Sequence, residues 1–391
     1  MRSFRIGSIF GIPLKLDLTF LLVLPLFAWL IGNQVEEWVG ILNGLFGIQL
    51  DAAVLTAGSL PWGLGLAAAL GLFGGIVLHE LGHSLVAIHY GFPIESITLW
   101  ILGGIAQLTE QPEDWREELL IAIAGPIVSI LLGVAFFVLL LFVPSEYPIL
   151  LFLTGYLALV NVAIAGFNLL PGFPMDGGRV LRALLARTRS FSRATQIAAE
   201  VGKAVAILMG LFGLLSVNLI LIAIAFFIYI GASTEAQRTV LKALFDGVTV
   251  ADVMTPAEAV DTVSPEQSVA DLFELMFQER HTGYPVVEDD EVVGMVTLDD
   301  AREVASVERE AFLISDIMSS DLHTVPEYAN AADALDRMTS ESIGRLLVVD
   351  ANGEMAGLLS RTDLMTAFNI MKEGGWRAES VGSEDVGDLS P

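Results

Sequence analysis

Long apolar runs separated by short polar or glycine- and proline-rich breaks fill the first part of the chain, and a different pattern follows them. The runs fall at 18–31, 62–88, 117–143, 149–170, 194–215 and 218–230. A membrane-crossing helix needs about 20 apolar residues, so the pattern predicts six transmembrane helices. The first run reaches that length by extending back to Leu14, with Lys15 snorkelling to the interface. It follows Arg2, Arg5 and Lys15 without a small-residue cleavage site, so it reads as a retained span. The last two runs part only at 216–218. Residues 1–17 read as an amphiphilic lead-in and 32–61 as a loop with apolar patches. Residues 94–108 are rich in β-branched side chains and flanked by Gly91, Pro93 and Pro112, which predicts a short sheet or hairpin. Beyond 243, short strands alternate with amphipathic helices, the pattern of a soluble α/β domain.

Inside the second run stand His79, Glu80 and His83. Residues four apart lie one turn apart on one helix face, so two imidazoles can share one metal ion. Glu80 is then placed to act on a water at that metal. Ionisable groups at membrane depth are costly and usually functional, which weighs against a chance match of core histidines.

Composition narrows the chemistry. The 391 residues are 54% hydrophobic with mean hydropathy +0.66, room for a membrane domain and a soluble one. Of the net charge of −26, only −3 falls on residues 1–242 and −23 on the rest. With no basic patch to neutralise phosphates, nucleic-acid binding is disfavoured. The chain has no cysteine, so any metal must be held by histidine and carboxylate. Segments 32–61, 144–148 and 216–218 hold no lysine or arginine, whereas 171–193 holds five arginines. The positive-inside rule then predicts a multi-pass protein of the cell membrane with both termini in the cytoplasm. It also brings the HExxH stretch and the end of the fourth span to one side.

Asp176 is the only acid between Glu146 and Glu200, in the stretch NLLPGFPMDGG that begins at Asn168. Taken alone, it reads equally as a helix N-cap in an ordinary turn. Paired with the HExxH on the same membrane side, it reads as the third ligand of a His2Asp site. The HExxH within a span, followed by N-x-x-P-x-x-P-x-D-G-G at the end of a later one, resembles the site-2 protease family of intramembrane zinc metalloproteases. The resemblance covers roughly residues 1–235. It implies one catalytic zinc on His79, His83 and Asp176, with Glu80 as general base. It further implies a substrate- or oxyanion-steadying role for Asn168, and a membrane-associated β segment matched by Gly103-Gly104-Ile105-Ala106.

The acidic half is a duplication: ADVMT at 251–255 answers SDIMS at 315–319, and each copy continues as helix, strand, turn, strand, helix. The copies, 249–306 and 313–370, resemble a tandem pair of CBS domains. This implies an adenine nucleotide held by Thr297 and Asp300 and by Ser360 and Asp363, although the same residues suit helix caps. It also implies a homodimer. The resulting division is a membrane protease domain at 1–242, CBS domains within 243–372 and a disordered acidic tail at 373–391. The expected activity is hydrolysis of peptide bonds in or near transmembrane segments of protein substrates, regulated by the CBS pair. A CBS-regulated channel or transporter, or a zinc sensor without catalysis, is the alternative.

Overall fold

The computed structural model describes residues 3–100, 103–108, 112, 114–245, 247–289 and 291–373. The tail at 374–391, expected to be disordered, lies outside the described residues. Contacts divide the chain into two units, Met1–Thr239 and Val240–Pro391.

The first unit opens with a hairpin, β1 (Ser3–Ile9) and β2 (Ile12–Asp17), turned at Phe10 and Gly11, both at positive φ. Helices α1 (Phe20–Asn33), α2 (Val35–Phe46), α3 (Ala52–Leu55) and α4 (Leu60–His89) follow. Next come β3 (Ile94–Trp100), β4 (Gly103–Leu108), α5 (Trp115–Phe142), α6 (Pro148–Asn168), α7 (Asp176–Ala186), α8 (Phe191–Leu215) and α9 (Leu219–Leu244). Among the described residues, α4, α5, α6, α8 and α9 are long and apolar enough to cross a membrane. The pair α1 and α2, bent by 67°, makes the sixth only if it is counted as one broken span.

Two expectations change here. Residues 32–61 are not a loop. Val35, Val39 and Leu42 recur at helical spacing and bury one face of α2 against Phe152 and Tyr156 of α6. Asn43 then ties the helix end to Leu50 by two 2.9 Å hydrogen bonds. Nor does the first span extend back to Leu14 with Lys15 snorkelling, since both residues lie in β2 and the helix begins at Phe20. The four strands form one sheet in the order β1-β2-β3-β4, with β2 parallel to β3 (Leu16 opposite Leu99) and the other pairs antiparallel. The sheet buries Ile12 and Ile97 with Leu81, and Leu99 with Phe73 and Val77, so α4 is its floor.

Small residues set how closely the helices approach α4. A Cβ at Gly65 would overlap the Ala28 carbonyl of α1. One at Gly82 would lie 2.8 Å from Val128 Cγ2 and 3.0 Å from the Ala124 oxygen, so α5 crosses α4 beside the two histidines. Membrane helices associate by close backbone packing rather than by a hydrophobic driving force, and small residues permit it.

In the second unit the two copies exchange strands. Thr255–Pro256, which opens the first copy, pairs with Met355–Ser360, the last strand of the second. Ser319, which opens the second, bridges Met295 in the last strand of the first. Each exchange depends on a glycine: a Cβ at Gly357 would strike the Thr255 carbonyl, and one at Gly294 would lie 2.7 Å from Met318 Sδ. Each copy has its own core, one around Tyr284 and Val286, the other around Leu346 and Val348.

Candidate metal centre

Three of the residues singled out from the sequence converge. His79 Nε2 and His83 Nε2 each lie 3.1 Å from Asp176 Oδ2, and 3.2 Å from one another. The two histidines come from one face of α4, and Asp176 is the first residue of α7. Met175 rather than Asp176 occupies the helix N-cap, which frees the carboxylate to reach the rings. The turn into α7 is tight: a Cβ at Gly177 would strike the Leu170 carbonyl, and one at Gly178 the Phe173 backbone.

The far nitrogens of the rings are held from α5. His83 Nδ1 lies 2.7 Å from the Ile121 carbonyl, which can only accept. Nδ1 therefore carries a proton, and in the neutral ring Nε2 presents a lone pair. His79 Nδ1 lies 2.9 Å from the Ser129 hydroxyl. With the Nδ1 proton donated to Ser129 Oγ, this ring also turns a lone pair toward Asp176. Two imidazole lone pairs and a carboxylate oxygen then face one another, with both rings buried. Such a set repels itself unless a cation or proton sits between. Ligands at the corners of a tetrahedron around zinc stand about 3.3 Å apart, close to the separations found here, so the donor set fits that ion. Gly125 of α5 completes the cup. A Cβ there would lie 2.7 Å from His79 Nε2 and closer still to His83 Nε2.

Glu80 shares the helix, one residue after His79, and is half-buried. The backbone of β4 lies over it, since a Cβ at Gly104 would come 2.6 Å from Glu80 Cγ. β4 is the outer strand of its sheet, so among the described residues one of its edges pairs with no other strand. Asn168 is half-buried at the last position of α6, just ahead of the segment that carries Asp176.

Thr297 with Asp300, and Ser360 with Asp363, form capping boxes in the second unit. Each carboxylate takes hydrogen bonds from the hydroxyl and backbone N–H three residues before it, at 2.6–2.8 Å. Thr297 and Asp300 also line a cleft of about 450 Å³ with Asp321, His323 and Arg345; Ser360 and Asp363 are not part of that lining. Arg345 donates to Thr282 Oγ1 at 2.7 Å. Burial lowers its pKa, while Asp363 and Tyr284 pull it back up.

Sequence reasoning missed Ser129, the Ile121 carbonyl and Gly125. The signal for Ser129 was available, since it is the lone hydroxyl in the apolar body of its span. A carbonyl and a missing side chain leave no such mark.

The profile of peptidase family M50 matches residues 67–153 and 145–209, and that of the CBS domain matches 250–306 and 314–370. A zinc metalloprotease of Methanocaldococcus jannaschii is 34% identical over 373 residues, covering 95% of this chain and 97% of that protein. Stage IV sporulation protein FB of Bacillus subtilis is 30% identical over 183 residues, covering 44% of this chain and 62% of that protein. Among solved structures, the site-2 protease from Methanocaldococcus jannaschii is 38% identical, covering 60% of this chain and 95% of that one, with a TM-score of 0.41. The chain is a member of peptidase family M50, a zinc metalloprotease with membrane-spanning helices and a tandem pair of CBS domains.

Proposed function

We propose that His79, His83 and Asp176 hold the catalytic zinc, that Glu80 is the general base, and that the substrates are transmembrane segments of other proteins. The observation that carries this reading is the convergence of two Nε2 atoms and one Oδ2 within 3.2 Å of one another, on the helix that bears Glu80. Zinc, when bound, supplies a Lewis acid that polarises the scissile carbonyl and makes water acidic enough to be deprotonated near neutrality. Glu80 takes the proton from the attacking water and delivers it to the leaving amine. Asn168 donates to the oxygen on which charge develops.

A helical substrate hides its peptide bonds and must be unwound first. The outer edge of β4 beside Glu80 suits this task, because an extended segment can add to a free strand edge through its backbone. The arginines at 171–193 support a cytoplasmic location for this side of the membrane and for both termini.

In the CBS pair, the cleft lined by Thr297, Asp300, His323 and Arg345 is of a size and polarity to take an adenine nucleotide, which would regulate the protease and favour a dimer. Regulation requires the nucleotide to bind the active and inactive states with different affinity.

The test uses purified protein in detergent, with zinc analysis and cleavage of a model transmembrane substrate, for wild type and Glu80→Gln. Zinc in both with cleavage by wild type alone is expected. Zinc absent from wild type would overturn the site.

A further inference from the structure

We propose that Arg182 is a positioning residue, fixing the segment that carries Asp176 against the helix that holds the two histidines. The proposal rests on the reading of Asp176 as a zinc ligand. Arg182 lies on α7, six residues after Asp176, and is only 4% exposed. Its Nε donates to Glu118 Oε1 of α5 at 2.7 Å, and its Nη1 to Glu235 Oε1 of α9 at 3.0 Å. Glu118 is itself 1% exposed. The guanidinium also lies 4.9 Å from the Phe173 ring centroid and 4.6 Å from that of Phe191.

These contacts have a direction. α5 presents Ile121, Gly125 and Ser129 to the histidines, and Glu118 lies a turn before Ile121 on the same helix. A bond from Arg182 to Glu118 therefore ties the body of α7, two turns past Asp176, to the helix that orients both rings. Ahead of Asp176, Phe173 is buried among Ala198, Ala199 and Ala232, and a Cβ at Gly231 would lie 2.8 Å from Pro174. The segment is thus clasped between α8 and α9, and Arg182 joins its far side to α9 through Glu235. A planar guanidinium can address two carboxylates and stack on rings at once, which an ammonium cannot. Groups that orient metal ligands without touching the metal commonly change its affinity about 10-fold or more when removed.

The experiment uses the full-length protein in detergent, with Arg182→Lys, Glu235→Gln and Asp176→Asn. Glu235 is partly exposed, so Glu235→Gln, which removes the charge that holds the guanidinium without leaving a cavity, is expected to fold and decides the matter alone if Arg182→Lys does not fold. Zinc affinity is measured by chelator competition, and the site geometry by the visible absorption of the cobalt-loaded protein. Arg182→Lys and Glu235→Gln are expected to bind zinc about 10-fold more weakly and to shift the cobalt bands, with kcat reduced and KM unchanged. Wild-type affinity and bands in both, with weaker binding in Asp176→Asn, would leave Arg182 a packing residue and overturn the proposal. Wild-type affinity in Asp176→Asn would instead remove the ligand assignment, and the proposal with it.

Discussion

The Ser129 hydroxyl lies 2.9 Å from Nδ1 of His79, so a single side chain of α5 helps hold that ring with its Nε2 toward Asp176. Ser129→Ala leaves a buried Nδ1 without its partner, at a cost of about 1–3 kcal/mol. The expected result is zinc affinity about 10-fold weaker by chelator competition. Unchanged affinity would mean that Ser129 does not hold the ring.

Gly125→Ala puts a methyl group against both imidazoles. Loss of bound zinc and a fall in cleavage rate of about 100-fold or more are expected, since a ring displaced by even a fraction of an ångström no longer meets the metal distances. Gly74→Ala is the control. It lies on the same helix as the histidines, yet nothing stands within 4 Å of its Cβ position, and activity within about twofold of wild type is expected. Equal loss in both variants would mean that helix flexibility, rather than space at the rings, is what matters.

Metal removal should also be visible as lost stability. His79 and His83 come from α4 and Asp176 from α7, so an ion held by the three would join segments that are distant in the chain. A ligand held at 1,000 times its Kd stabilises by about 4 kcal/mol. A strong chelator is therefore expected to lower the melting temperature of the detergent-solubilised protein, and added zinc to restore it. Asp176→Asn should be less stable than wild type with zinc present and gain little from more.

The two capping boxes separate stability from ligand binding. Ser360→Ala removes a hydroxyl that caps the helix Arg361–Lys372 away from the cleft, and a loss of about 1 kcal/mol is expected in thermal unfolding. The rise in melting temperature on adding an adenine nucleotide should persist. Thr297→Val removes the equivalent cap and a cleft-lining hydroxyl together, so both the stability and the nucleotide-induced shift should fall. A normal shift in Thr297→Val would place the nucleotide elsewhere.

Much of this was legible because metal chemistry and the bilayer restrict side chains severely. Two histidines four apart in an apolar run, and one aspartate between two distant acids, are visible to anyone counting ionisable groups. What supports them was not. The Ile121 carbonyl carries no sequence mark, and Gly125 acts through the atoms it lacks. Val35, Val39 and Leu42 were hidden for another reason. A run judged by its total apolar content does not display the period that makes it a helix. The hairpin of β1 and β2 was obscured because its partner strand β3 arrives only after four helices. Thr297 and Ser360 were visible as residues that suit both a cap and a ligand, but the cleft that distinguishes them depends on how the two copies face each other.

The strand exchange between the CBS copies has a consequence for how the protein is made. The first copy opens with Thr255 and Pro256, whose partners are Leu358 and Gly357. A chain leaving the ribosome folds from its N-terminal end, domain by domain. The helices that carry His79, His83 and Asp176 are all synthesised while the first copy still lacks the strand it must pair with. The pair can close only when its last strand emerges, so every newborn molecule passes through an interval in which the residues of the proposed metal site exist and their accompanying CBS module does not.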